Sequence, residues 1–576
     1  MPTVGVERDL LFKALKQEYT EEALDNLCFE FGIELDDIET NEEGKVIYKF
    51  DIGANRYDLL CIQGLTLALN TFRGISSYPV YSKLPAKENT KIIVKPATNQ
   101  IRPFVVGAIL RNITFDADNM QNFIDLQDKL HQNICRHRKY ASIGTHDLDT
   151  IQGPFVYDAI APKDFEFVAL KQTEKMTADK LINEVYEHDM FFKQYIGLIK
   201  DSPVYPVIKD ANGVVCSLPP IVNGEHSKIT QNTKNVFIEV TGLDLTKSRI
   251  VLDTVCSLFS IYCENQNSVE SVEVVYEANP ERNATYPDLE YRKMTVSSDY
   301  INKRVGVVQE PAVIAESLSK MGLRGSVDPN DAEKIIVEIP PTRSDVLQAC
   351  DVMEDAAVAY GYSNIPYTMP KTLTVGKQFQ LNKLTDLLRG EMAQAGYTEA
   401  LTFSLCSRDD ISKKIRKDLA KDVVHIGNPK TLEFQVCRTT LLPGLLKTIS
   451  ANKSLPLPLK IFEIQDVVKK VDNEVGAKNR RKLAAAFYSK SSGFENIVGL
   501  VDRVMQILEV KSYQIKPVDN NMFFPGRSFQ IVADGSIVGE GGVVHPECIQ
   551  NFELDRPCSL VEIDLEHFED IFVKYD

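Results

Sequence analysis

A chain of 576 residues is too long for one hydrophobic core and calls for roughly 3–5 domains. Hydrophobic residues at 44% and charged residues at 25% are ordinary for a globular protein, and no run reaches the ~20 apolar residues of a membrane span. A net charge of −16 excludes a broadly basic nucleic-acid-binding surface, so any contact with phosphates has to be local.

The opening stretch MPTVGVERDLLFKAL has neither the apolar core of a signal peptide nor the Arg-rich, acid-poor bias of a transit sequence. The eleven cysteines are scattered without a C-x-x-C pair, which argues against a zinc ribbon or a disulfide scaffold. They read as small buried hydrophobes in a reducing compartment, and the cytoplasm is the expected location.

Residues 1–90 form a first small α/β module. Leu24, Leu27, Cys28 and Phe31 make a helix face that closes at Gly32, and Val46-Ile47-Tyr48 reads as a strand leading into FDIGANRYDLLCIQGLTLAL. Residues 95–280 read as an inserted α/β domain, with strands at 92–94, 104–107 and 237–240 and helices at about 120–136 and 178–187. Within it, Arg136-His137-Arg138-Lys139 stands at a helix end and runs into Ser142-Ile143-Gly144-Thr145-His146-Asp147. Asn223-Gly224-Glu225-His226-Ser227 and Glu239-Val240-Thr241-Gly242 follow. These residues suit a hydrolytic pocket. Glu225 or His226 would position a water, Asn223 and Thr241 would hold a substrate, and the basic residues would meet a phosphate backbone. Capping and turn chemistry accounts for the same residues, since Asn-Gly is a turn dipeptide and Thr-His-Asp suits a helix start.

Residues 290–370 form a second module containing EIPPTRSDVLQACDVMEDAAVAYGY. It repeats the first: Arg56-Tyr57-Asp58 and Arg343-Ser344-Asp345 are related by an offset of 287 that also pairs Ile52 with Ile339. The shared Arg-x-Asp turn suits an Arg–carboxylate pair or a cap, with Asp345 placed to cap the following helix. Val346, Cys350, Met353, Ala357 and Tyr360 mark that helix's apolar face, and Asp351, Glu354 and Asp355 fall on the opposite flank. At the same offset the first module has Gly64, Leu67 and Ala68. Four carboxylates from so short a stretch suit a hard divalent cation, and a solvated acidic face that complements the helix dipole suits the same pattern.

Residues 375–576 begin with a helix over about 381–395 and continue as short strands broken by Gly, Pro and Asn, an antiparallel sheet with flanking helices. The basic run Lys478-Asn479-Arg480-Arg481-Lys482 reads as a solvated loop, and Gly539-Glu540-Gly541-Gly542 as a turn or strand crossing. Phosphate-cradling loops of the G-x-x-x-x-G-K-S/T or G-x-G-x-x-G type are missing from the sequence. The fold class is multidomain α+β.

With these segments in order, the chain resembles phenylalanyl–tRNA synthetase β subunits of the shorter cytosolic eukaryotic and archaeal form. The likeness spans almost the whole length and rests on FDIGANRYDLL, NGEHSKIT, EIPPTRSDVLQACDVMEDAAVAYGY, VCRTTLLPGLL and GEGGVVHPEC. It implies an α₂β₂ heterotetramer with a catalytic α subunit that joins phenylalanine to tRNA(Phe) using ATP. The resemblance further implies an inserted domain that hydrolyses Tyr-tRNA(Phe), its site mapping to Asn223, Glu225, His226, Glu239 and Thr241. For the second module it implies a Mg²⁺ site at Asp345, Asp351, Glu354 and Asp355. The last domain would be a class II synthetase-like core. That core lacks the Arg of an F-R-x-E strand at Ile461-Phe462-Glu463-Ile464 and the Arg of a G-x-G-x-x-R motif at 539–544. A non-catalytic subunit that only binds α and tRNA is the alternative. A site that rejects tyrosine is physically motivated, because apolar exclusion of one added hydroxyl gives only about 100-fold discrimination.

Overall fold

The computed structural model describes residues 2–569 apart from 373, 375 and 420. The domain limits placed at 375 and 576 therefore lie outside the described residues. The chain divides into two units, Met1–Met369 and Pro370–Asp576.

In the first unit, Thr20 accepts a hydrogen bond from the Ala23 N–H (3.2 Å) and starts the helix Glu21–Phe31, which ends at Gly32 with φ +94°. Gly suits this left-handed stop because no Cβ meets the carbonyl. Leu24, Cys28 and Phe31 are buried. Strands Thr3–Glu7, Glu34–Thr40 and Val46–Asp51 form an antiparallel sheet with the third strand central. The second module has the same plan. Strands Arg292–Ser297, Arg324–Asp328 and Asp331–Ile339 pair with the third central. A helical segment Pro311–Ser317 and Leu318–Met321 ends at Gly322 with φ +75°. The helix Ile62–Phe72 of the first module corresponds to Ala349–Tyr360 of the second at the offset of 287.

The helix Ala349–Tyr360 differs from expectation in two ways. It starts four residues after Asp345 and is capped instead by Gln348, with the Asp351 carboxylate accepting from the N–H groups of Leu347 and Gln348 at 2.7 Å each. Its buried residues are Val352, Asp355, Ala356, Ala357 and Ala359, so Ala357 of the expected face is buried whereas Cys350 is exposed. Asp345 is drawn away from the cap by Arg343, which ties the turn to the module's interior.

Between the modules lies an eleven-stranded sheet that also takes in Ser82–Leu84, Ile92–Val94, Ser268–Tyr276 and Ala284–Tyr286. Its core strands Phe104–Leu110, Val236–Gly242 and Ala141–Asp147 are antiparallel neighbours. Thr145 and His146 are thus strand residues, and Asp147 ends the strand and caps a 3-10 turn over Leu148–Thr150, its carboxylate accepting from the Asp149 N–H at 3.1 Å. The helix Ala117–Gln132 packs on this sheet and stops before Arg136-His137-Arg138, three successive residues with positive φ. The segment expected as one helix at 178–187 is a short turn of α-helix, Ala178–Lys180, continued as a π-helical turn over Leu181–Tyr186.

The second unit holds a seven-stranded sheet built largely from long strands, including Leu459–Lys470, Ala477–Tyr488 and Phe523–Ala533. The helices Gln380–Gln394 and Phe494–Ile507 contribute Leu384, Leu388, Val501 and Val504 to its core. The basic run 478–482 is not a loop. It is the first half of the strand Ala477–Tyr488, where Arg480 pairs with Asp564 and Glu566, Arg481 with Asp466, and Lys482 with Glu562. Alternation along a strand lets each cation meet a carboxylate on a neighbouring strand. Gly539, Gly541 and Gly542 likewise lie inside the strand Ser536–Val544, where a Cβ at Gly541 would stand 2.7 Å from Phe529.

Candidate functional site

On the strand Ala141–Asp147, Ser142, Gly144 and His146 share one face by period-2 alternation. Register places Ser142 opposite Thr241, Gly144 opposite Glu239 and His146 opposite Phe237. Glu239 is 1% exposed and lies over Gly144, where a Cβ would come within 2.2 Å of Glu239 Oε1. The Ser217 hydroxyl donates to that Oε1 at 2.9 Å, and His146 Nε2 stands 4.0 Å from it. Glu239 Oε2 and His146 Nε2 are both buried without a hydrogen-bond partner. His146 Nδ1 is fixed by Ser227 Oγ at 2.8 Å. Buried polar atoms are nearly always paired, so two orphans on facing strands mark a place set up for a further polar group.

The other expected residues divide around this centre. The Thr241 hydroxyl is fully buried and engaged by Ser142 Oγ at 3.1 Å and by Arg102 Nε at 3.3 Å. Arg102 Nη2 also donates to the Thr241 carbonyl at 2.8 Å, and burial lowers this guanidinium's pKa. The Asn223 amide donates to the Thr145 carbonyl at 3.2 Å and ties the loop 223–227 to the central strands. Glu225 accepts from the Lys171 N–H at 2.7 Å and pairs with Lys228, and those bonds hold its carboxyl below its usual range. His226 is exposed, and partial desolvation and the neighbouring His146 keep its imidazole below its usual pKa. Gly224 brings the chain close here, since a Cβ would lie 3.1 Å from His226 Nδ1. Sequence reasoning singled out Ser142 and His146 within a polar run but gave them no role, and it missed Ser217 and Arg102. The signal for the first two was Ser142-x-Gly144-x-His146, a strand-period polar face.

Beside this site the chain turns through its left-handed run, and Arg138 fastens that turn. Its guanidinium donates to the carbonyls of Ile221 (2.9 Å) and Pro220 (3.4 Å) and stacks 4.4 Å from the Tyr195 ring. Arg136, His137 and Lys139 are left exposed on the turn.

The second cluster lies where the two Arg-x-Asp turns meet. Arg56 makes a bidentate pair with Asp58 at 2.9 and 2.8 Å. Arg343 is 2% exposed and donates to Asp345 (2.8 Å), Asp355 (2.7 Å) and the Met321 carbonyl (2.7 Å). Burial opposes the Arg343 charge, and Asp355 and Asp345 more than offset it. The Asp345 carboxyl, although buried, is held below its usual range by Arg343 and then Arg56. For Asp355 burial outweighs Arg343 and raises the pKa. Tyr78 completes the contact, its hydroxyl 2.8 Å from Thr342 Oγ1. The four acids expected to hold Mg²⁺ therefore do not converge. Asp345 and Asp355 face Arg343, Asp351 caps the helix, and Glu354 is exposed. Among the described residues no group of three or more His, Cys, Asp or Glu side chains is arranged to hold a metal.

Residues 1–75 match the family model "Phe-tRNA synthetase beta subunit B1 domain", 90–263 the "B3/4 domain", 294–362 the "tRNA synthetase B5 domain", and 365–565 the "Phenylalanyl tRNA synthetase beta chain CLM domain". Phenylalanine–tRNA ligase beta subunits from Mus musculus and Homo sapiens are each 52% identical over 99% of this chain and 100% of their own length. The chain belongs to the phenylalanine–tRNA ligase beta-subunit family. It is thus a component of an aminoacyl-tRNA ligase. The cytoplasmic beta subunit of Arabidopsis thaliana is 44% identical over 98% of this chain and 100% of its own length. An N-terminal fragment of the Pyrococcus horikoshii phenylalanyl-tRNA synthetase β subunit superimposes with a TM-score of 0.56 at 30% identity, covering 62% of this chain and 99% of the fragment. No helix among the described residues is long and apolar enough to cross a membrane.

Proposed function

We propose that this chain serves in the cytoplasm as the β subunit of a phenylalanine–tRNA ligase and that its eleven-stranded sheet hydrolyses Tyr-tRNA(Phe). The observation that carries the reading is Glu239 Oε2, a buried acceptor without a partner. A phenolic hydroxyl supplies the missing donor, and phenylalanine has none. A site built around a substrate hydroxyl rejects the analogue lacking it far more strongly than apolar packing rejects an added one. His226 is the better base for a water, being exposed and kept neutral. Glu225 is engaged by Lys171 and Lys228. Arg136, His137 and Lys139 offer the local positive charge for the tRNA backbone that the net charge of −16 withholds elsewhere.

In this reading the second unit packs against the α subunit in an α₂β₂ assembly and activates no amino acid itself. Its Glu463 is buried and bound by Arg438 at 2.7 Å, so the strand at 459–470 is tied up internally. Mg²⁺, if taken by the second module, falls to Asp351 and Glu354, the two acids whose side chains are not paired with Arg343. Such a site would be completed by water or another chain, in keeping with the one or two carboxylates this ion commonly accepts.

The test is deacylation of Tyr-tRNA(Phe) by the co-expressed αβ complex alongside ATP-dependent charging with phenylalanine. Glu239→Gln and His226→Ala should each lower deacylation at least tenfold with charging intact. Unchanged deacylation in both variants would sink the editing assignment, and absence of deacylation in the parent would leave the scaffold reading.

A further inference from the structure

A groove of about 540 Å³ opens in the first unit between the helices Arg8–Leu15 and Ile62–Phe72 on one side and the end of Leu245–Phe259 on the other. This volume falls within the usual range for small-molecule sites. Several polar side chains along it are engaged internally: Asn70 donates to the Ala14 carbonyl, and Asp116 and Asn119 form a capping box. Three others carry buried atoms that are not. Gln63 Oε1, Ser257 Oγ and Asn267 Oδ1 are buried without a partner, and all three residues line the groove. Ser257 is only 2% exposed. The Gln63 amide donates its own N–H to the Tyr262 hydroxyl (3.1 Å), so only its carbonyl oxygen is left without a partner.

Two amide carbonyls and a hydroxyl without partners call for hydrogen-bond donors, because an unpaired buried acceptor costs about 1–3 kcal/mol. The walls between them are apolar and partly aromatic, with Leu258 and Ile261 beside Tyr262. Lys13, in the last turn of the helix Arg8–Leu15, and Lys16, just past its end, are exposed along the groove and supply positive charge, with Asp116 and Asp118 also among its lining residues. A flat ring bearing an exocyclic amine, joined to hydroxyls and an anionic group, satisfies all four features together. We infer that this groove binds an adenine nucleotide, the base amine facing Gln63 and Asn267 and the phosphate facing Lys13 and Lys16. The site is separate from Glu239 and does not rest on the editing assignment.

The probe is 8-azidoadenosine 5′-monophosphate, photolysed with the co-expressed αβ complex and mapped by peptide mass spectrometry. Peptides carrying residues 257–267 or 62–67 of this chain should be labelled, and excess AMP should compete. Lys13→Glu/Lys16→Glu, a surface change, should reduce that labelling at least fivefold. Asn267→Gly should do the same, and glycine tolerates the φ of +59° at that position. Labelling confined to the α subunit, or labelling of the groove peptides unchanged in both variants, would overturn the assignment.

Discussion

Asp253 supports a prediction whose size follows from its surroundings. It lies on the helix Leu245–Phe259, is 8% exposed, and has Oδ1 buried without a partner. Burial, and then the like charge of Asp288, push its carboxyl from the ordinary 3.8 up to about 7, against the pull of the Leu289 and Asp288 N–H groups and of Arg249. Arg249 cannot compensate fully because it is paired with Asp288. Between pH 4 and 7 the folded chain therefore keeps a proton that the unfolded chain has released. Stability falls as pH rises through that window and is flat above it. At about 1.4 kcal/mol per decade of pH, roughly three decades give an upper bound of about 4 kcal/mol. Asp253→Asn replaces the titrating group with a neutral one of the same shape. The variant should exceed the parent in stability, and its advantage should grow by about 1 kcal/mol between pH 6 and 7 and stop growing above pH 8. Hydrogen exchange along the helix, or chemical denaturation across that range, reads this out. An advantage that does not change with pH, or a parent more stable than the variant at pH 8, would refute the argument.

Other changes probe the two polar centres. Gly144→Ala should evict the Glu239 carboxylate, since a Cβ there would meet Oε1 at 2.2 Å. Deacylation of Tyr-tRNA should drop as far as in Glu239→Gln, and denaturation should register a loss of about 1–3 kcal/mol. Arg343→Met strands Asp345 and Asp355 in the interior and should cost about 3–5 kcal/mol of stability. Adding Asp355→Met should recover part of it, and additive losses would contradict the pairing. For the metal, Asp351→Asn/Glu354→Gln should lower the enhancement of water-proton relaxation that Mn²⁺ shows on binding the αβ complex. Asp345→Asn should leave that signal in place, and the opposite pattern would assign the cation to the Arg343 pair.

What the sequence disclosed, and what it hid, follows from the range over which each signal acts. The repeat was legible because an offset of 287 preserves both a turn and the helix after it, and the structure places Ile62–Phe72 and Ala349–Tyr360 at that spacing. The Arg–carboxylate pairing within each turn was legible too, being local to three residues. The fate of the helix acids was not, because helical periodicity assigns a face without naming what the face meets. Asp355 lies on the buried face, where Arg343 neutralises it. Its counterpart Ala68 is also buried, at 7% exposed. The two copies thus bury the same position, and only the second carries a charge there. Arg56 needs one carboxylate because part of it reaches solvent, its side chain being 16% exposed. Arg343, at 2%, is offered two. The proposed editing centre shows the same limit in strand form. Asn223, Glu225 and His226 stood out because they are contiguous, whereas Glu239 acquires its meaning from Gly144, Ser217 and His146. Gly144 and His146 reach it through strand pairing across 95 positions or fewer, and Ser217 comes from a strand not paired with that of Glu239. A glycine beneath a carboxylate has no one-dimensional signature beyond strand alternation. The acid on which the proposed preference for a hydroxyl-bearing substrate rests is therefore recognised by the residue that leaves room for it.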